Sequence, residues 1–141
     1  MSSSGKSTER VSRPEASVLL VAAAAAAGDA EPMTDATLQA WLAREQEIQD
    51  RIAQGRGPGI ATREERVGLS GLALLGGMLD GTIPASHIAK TLDFMLVEIN
   101  DGHAVFQGTP GEAFLNPMGT VHGGWYATLL DSALACAVHS K

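Results

Sequence analysis

Residues 125–138, W-Y-A-T-L-L-D-S-A-L-A-C-A-V, read as a helix that is apolar nearly all round. Such a helix is stable in water only when the rest of the chain encloses it. One residue in it resists enclosure: Asp131 carries a carboxylate, which is costly to bury unless it is paired, hydrogen-bonded or protonated. Thr128, Asp131 and Ser132 stand three and four apart and share one helical face with Gly124 a turn earlier. A polar stripe on an otherwise apolar helix asks for a reason beyond packing.

The approach to this helix is N-P-M-G-T-V-H-G-G, residues 116–124. Gly123 and Gly124 at a helix start permit close backbone approach and leave amide N–H groups without intrahelical partners. With the helix dipole they make a site for an anion or a developing oxyanion. Asn116 can supply a side-chain N–H to the same oxygen, and such donors stabilise the tetrahedral intermediate of acyl transfer. Asn116 alone would read as a turn residue, and His122 before a helix as a structural hydrogen-bonder. Asp131 is then the group to orient or activate a nucleophile. It lies eight residues past Gly123, roughly 12 Å along a helix axis. One helix hardly brings both groups to one carbonyl, whereas a symmetric dimer with Asp131 from the second chain does so naturally.

The enclosing material lies upstream. Five of the six aromatics, Phe94, Phe106, Phe114, Trp125 and Tyr126, fall between residues 94 and 126, which places the core there. Residues 91–99 have strand composition. Asn100-Asp101-Gly102 is turn chemistry and residues 104–109 resume as a strand, so the pair is predicted to be a hairpin. Residues 63–79 are predicted to be one helix, on Val67, Leu74, Leu75 and Met78. Gly68, Gly71, Gly76 and Gly77 imply that it packs closely against something, since each costs about 1 kcal/mol against alanine. A helix with Leu38, Trp41, Leu42, Ile48 and Ile52 on one face spans residues 34–53 behind the capping pair Thr34-Asp35. Its reading is that of a packing helix, and Gly55, Gly57, Pro58 and Gly59 end it. Residues 1–32, Ser-rich then Ala-rich, are expected to be a disordered or loosely helical leader, with Met33 as the alternative start. The division is a leader at 1–32, a helical extension at 33–82 and the main domain from 83 to 141.

Several classes are disfavoured. Ten basic residues against sixteen acidic ones, a net charge of -6, do not give the footprint of a nucleic-acid binder. The apolar run at residues 18–28 is about half the ~20 residues a membrane span needs. As a secretory signal it fits poorly, because Glu9 and Glu15 interrupt the basic stretch of Lys6, Arg10 and Arg13 before it and the run itself is mostly alanine. Cys136, the single cysteine, cannot form an internal disulfide. With no zinc spacing among Cys and His, a cytoplasmic chain without metal or other cofactor is expected. Cys136 itself reads as an inert core thiol. Gly5-Lys6-Ser7-Thr8 resembles the end of a P-loop but lacks the upstream glycine and strand. His87, His103 and His139 show no metal spacing.

The stretch from about Ile83 to Lys141, above all N-P-M-G-T-V-H-G-G-W-Y-A-T-L-L-D-S-A, resembles the hotdog-fold acyl-CoA thioesterases of the PaaI-like, phenylacetate-degradation branch. The resemblance implies an α+β chain in which an antiparallel sheet wraps a central helix, here preceded by N-terminal helices. It also implies a homodimer or homotetramer with its site between subunits, and hydrolysis of an acyl- or aryl-CoA thioester. Carried over by position, the oxyanion donors are Asn116 and the backbone N–H of Gly123, with His122 beside them. Asp131 is the catalytic carboxylate, acting as general base on water or as a nucleophile. Gly124 and Thr128, on the same polar stripe, are expected as substrate contacts. Family members continue beyond this helix with further strands, so the resemblance also implies a domain truncated after the central helix. The alternative to an enzyme is then a catalytically defective fragment or a non-enzymatic acyl-CoA-binding or interaction module.

Overall fold

The computed structural model describes residues 20–24 and 34–141. It is an α+β arrangement in three layers, with a helix on each face of a small antiparallel sheet. The sheet is built on the hairpin of β2 (Phe94–Asn100) and β3 (His103–Gly108). The Asn100-Asp101-Gly102 turn between them has Gly102 at φ +75°, a conformation glycine adopts without penalty. β1 (Leu20–Ala24) pairs antiparallel with β3 on its other side, Leu20 opposite Gly108 and Ala24 opposite Ala104, so the strand order is β1-β3-β2. These five residues differ from the loosely helical leader expected of an Ala-rich run. The backbone of β3 offers ladder partners that local composition does not reveal. The remainder of the expected leader, with Gly5-Lys6-Ser7-Thr8, lies outside the described residues.

The period of two along the strands sorts the core onto two faces. Phe94, Leu96, Ala104 and Phe106 face α5 (Gly123–His139), which answers with Trp125, Leu129, Ala133 and Ala137 at a spacing of four. Met95 and Val97 face α1 (Asp35–Gln54), where Ile48 is fully buried. Phe94 makes edge-on contacts with both Phe106 and Trp125, ring centroids 6.0 Å apart in each pair, so the aromatic concentration does mark the core. The Trp125 indole N–H donates to the Leu92 carbonyl at 2.6 Å.

α1 is held by polar contacts as well as apolar ones. The ladder slips by one residue at Val97, between Leu96 and Glu98. Arg44 Nη2 donates to the Val97 carbonyl at 3.2 Å, taking up an acceptor that a bulge withdraws from the ladder. Gln107, 2% exposed, points to the same side and donates through Nε2 to the Trp41 carbonyl at 2.6 Å and to Glu45 at 3.0 Å.

Two elements depart from the expected pattern. The single helix expected over residues 63–79 is two: α2 (Arg63–Arg66) and α3 (Gly71–Leu79). Thr62 caps α2 in a reciprocal box with Glu65. Gly68 then takes φ +86° and Ser70 opens α3 by accepting from the Ala73 N–H. Each device starts or stops a helix, and together they outweigh the periodicity; Val67, placed on the apolar stripe, is exposed. The close packing implied by the glycines is present, because a Cβ at Gly71 would overlap the His139 carbonyl of α5. Between Pro84 and β2 lies a short helix, α4 (His87–Leu92), which ends at Asp93 with φ 55°. Aspartate tolerates this left-handed region better than most residues.

Among the described residues, α5 is covered on one side only. Leu130, Leu134 and Val138, again four apart, are 48%, 59% and 76% exposed, and Asp131 lies on the exposed part of the helix. Among the described residues, the apolar surround expected from the sequence is therefore supplied by the sheet and α3, and not on the face of Leu130, Leu134 and Val138. No helix among the described residues is long and apolar enough to cross a membrane.

Candidate active site

The segment preceding α5 folds into a tight loop whose conformation is written in its residues. Leu115 and Val121 form an isolated antiparallel bridge. Between them the Gly119 N–H donates to the Asn116 carbonyl at 2.9 Å, and the Asn116 N–H to the Thr120 carbonyl at 2.8 Å. Gly119 closes the turn at φ +78°, where a side chain would be strained. Asn116 organises the interior of this loop. Its Oδ1 accepts from the Met118 and Thr120 N–H groups at 2.9 and 3.3 Å, and its Nδ2 donates to Thr120 Oγ1 at 2.7 Å. Two backbone donors on one atom fix which end of the amide is oxygen. Nδ2 carries two hydrogens, so one remains for another acceptor.

His122 is the residue that caps α5. Its Nδ1 accepts from the Gly124 N–H at 2.9 Å, and its carbonyl accepts from the Trp125 N–H at 2.9 Å. Nδ1 thereby serves as the acceptor of the cap. The two glycine amides, equivalent on the page of the sequence, are thus distinguished. Gly124 is committed to the cap, and a Cβ there would press on the His122 ring at 3.0 Å. Gly123 has no hydrogen-bond acceptor among the described residues, and nothing lies within 4 Å of where its Cβ would stand. An open donor at the positive end of a seventeen-residue helix suits an oxygen bearing negative charge.

The polar stripe of α5 resolves in the same way. Thr128 Oγ1 donates to the Gly124 carbonyl and Ser132 Oγ to the Thr128 carbonyl, both at 2.9 Å. These hydroxyls are occupied within the helix. Asp131 has no side-chain partner among the described residues, and its carboxylate is open to solvent.

The structure does not gather the candidates into one intrachain cluster. His122 and Gly124 border a small cleft of about 250 Å³ against Phe114 and Trp125. Asp131 and Ser132 border a different and larger cavity of about 710 Å³, reaching along the β2 edge between α1, α3, α4 and α5. The residues of that cavity come from segments as far apart as Ile52 and Cys136, and local sequence signals give no hint of it. Burial pushes the Cys136 thiol above its ordinary range, in keeping with an unreactive wall residue. Among the described residues no three His, Cys, Asp or Glu side chains converge as metal ligands.

Comparison with known proteins touches this region. A family model described as the Thioesterase superfamily matches residues 118–141, which take in the end of the Asn116 loop, the Gly123 amide and all of α5. No curated protein and no solved structure matches the chain. The helix-on-sheet arrangement is consistent with the hotdog fold to which that superfamily belongs.

Proposed function

We propose that this chain is a hydrolase of acyl- or aryl-CoA thioesters, of the PaaI-like kind, working as a homodimer or homotetramer. The observation that carries the reading is the Gly123 N–H at the start of α5, which has no acceptor among the described residues; in the loop that leads into the helix, the Asn116 amide is oriented by its own backbone contacts. The superfamily match over residues 118–141 supports thioester hydrolysis in general.

In this mechanism the thioester carbonyl oxygen accepts from the Gly123 N–H and the free hydrogen of Asn116 Nδ2. Attack on the carbonyl carbon moves its π electrons onto that oxygen, and the two donors stabilise the charge that forms there. Asp131 accepts a proton from the attacking water, so that hydroxide equivalent is delivered to carbon. Collapse of the tetrahedral intermediate re-forms the carbonyl and expels the CoA thiolate, which takes up a proton. His122 holds the Gly124 N–H and so sets the pitch of the helix start. Gly124 and Thr128 border the path of the substrate. Because the carboxylate stands roughly 12 Å along the helix from Gly123, it serves the site of a second chain.

The test is free-thiol release from a panel of acyl-CoA thioesters by the purified protein, with Asn116→Ala and Asp131→Ala beside it. Losses on the order of 100-fold in kcat are expected from either substitution. Equal activity in both variants would remove these residues from the mechanism. Absence of turnover on every thioester would favour an acyl-CoA-binding or interaction module.

A further inference from the structure

We propose that the cavity of about 710 Å³ is the chamber for the acyl chain. On this reading the helices preceding the hairpin, outside the segment matched to the thioesterase superfamily, set acyl selectivity. Its catalytic consequence rests on the thioester reading above, whereas its capacity to bind an acyl chain does not.

Three observations converge on this occupant. The cavity falls within the roughly 300–1,000 Å³ typical of small-molecule sites, and its walls are side chains such as Ile52, Leu75, Met78, Ile88 and Phe106. The charged residues that border it, Lys90, Asp93 and Asp131, are all exposed, and the uncharged polar ones, Gln49, Ser86 and Ser132, are few beside the apolar lining, so charge stays at the solvent side and most of the wall is hydrocarbon. Asp131 belongs both to that solvent side and to the proposed reaction, so a chain entering the cavity keeps its thioester end beside the carboxylate. With no buried cation among the lining residues to receive a second carboxylate, the structure points to an uncharged tail. A medium-length alkyl chain fills such a volume where an acetyl group leaves most of it empty. Each methylene enclosed is expected to raise kcat/KM about fourfold until the cavity is full.

The experiment uses the full chain with Ile88→Trp and Ala135→Phe. Both side chains line the cavity from exposed positions, Ile88 being 51% exposed, so neither substitution disturbs the core, and thermal melts of both variants confirm folding. Two measurements are paired: binding of decanoate by calorimetry, and kcat/KM across acetyl-, hexanoyl- and decanoyl-CoA. The chamber predicts that the wild type binds decanoate and that each variant weakens it tenfold or more. It also predicts that decanoyl-CoA turnover falls at least tenfold while acetyl-CoA turnover changes less than twofold. No decanoate binding by the wild type, or binding unchanged in both variants, overturns the chamber even if thioesters are hydrolysed. So does release of decanoate on self-association, which would make a second copy the occupant. Decanoate binding that both variants weaken, without hydrolysis of any thioester, keeps the chamber and defeats the catalytic reading instead.

Discussion

Gly123 and Gly124 stand side by side with the same chemical endowment, and only their neighbours separate them. His122 takes the Gly124 N–H and leaves that of Gly123 open. The allocation of the two amides therefore rests on the position of one ring nitrogen. Replacing His122 by alanine frees the second amide and removes a cap worth about 1 kcal/mol; the melting temperature is expected to fall, and a differential scanning measurement reads it directly. Cys136 makes a second prediction at this scale. Its thiol is pushed upward by burial, so less thiolate is present at any given pH than for an exposed cysteine. Its reaction with a disulfide reagent at pH 8 is expected to be slower than that of the unfolded chain, where the burial is lost. Equal rates in native and denatured protein would contradict the burial. At this scale the sequence was legible in identity and silent in allocation. Asn116, His122, Gly123 and Asp131 are recognisable as candidates, yet nothing local says that Thr128 and Ser132 spend their hydroxyls on their own helix.

Helix α3 shows how an element can be right in kind and wrong in extent. Periodicity runs through residues 63–79, but Thr62, Gly68 and Ser70 impose two starts and a break. Capping and left-handed backbone act on a few residues with energies comparable to the whole propensity of the segment. The glycines nonetheless announced a close neighbour, and α5 is it. Gly71→Ala would drive a methyl group into the His139 carbonyl, an overpacking expected to cost about 1–3 kcal/mol, readable as a lower urea midpoint. Gly76→Ala, where nothing lies within 4 Å, is expected to be neutral or mildly stabilising. Similarly, Gln107→Leu would leave Glu45 without its buried donor, at an expected cost of about 1–3 kcal/mol, and would loosen α1 from the sheet. The short helix α4 escaped the sequence reading because six residues, His87–Leu92, are too few to develop a periodic signal.

At the scale of the whole molecule, α5 covers one face of the sheet and exposes Leu130, Leu134 and Val138 on its other side. Asp131 and the Gly123 amide border separate spaces in one chain. If the catalytic unit combines Asn116 and Gly123 of one chain with Asp131 of another, mixing the inactive Asn116→Ala and Asp131→Ala proteins restores activity. Random pairing into dimers leaves roughly a quarter of the wild-type sites intact, because half of the dimers are mixed and each mixed dimer keeps one whole site. A mixture no more active than its components would show that each site is made by a single chain. The sequence by itself determined what depends on residue type and short spacing: the hairpin with its glycine turn, the amphipathic α1, the apolar helix and the polar loop that feeds it. Only the tertiary structure decided which glycine amide stays free, that the carboxylate faces a cavity bordered by four helices, and that β1 joins the sheet. The first turns on the rotamer of a cap two residues away, and the other two are contacts between residues distant in the chain. Their energies are set by which surfaces meet in space, a quantity that no local window of sequence contains.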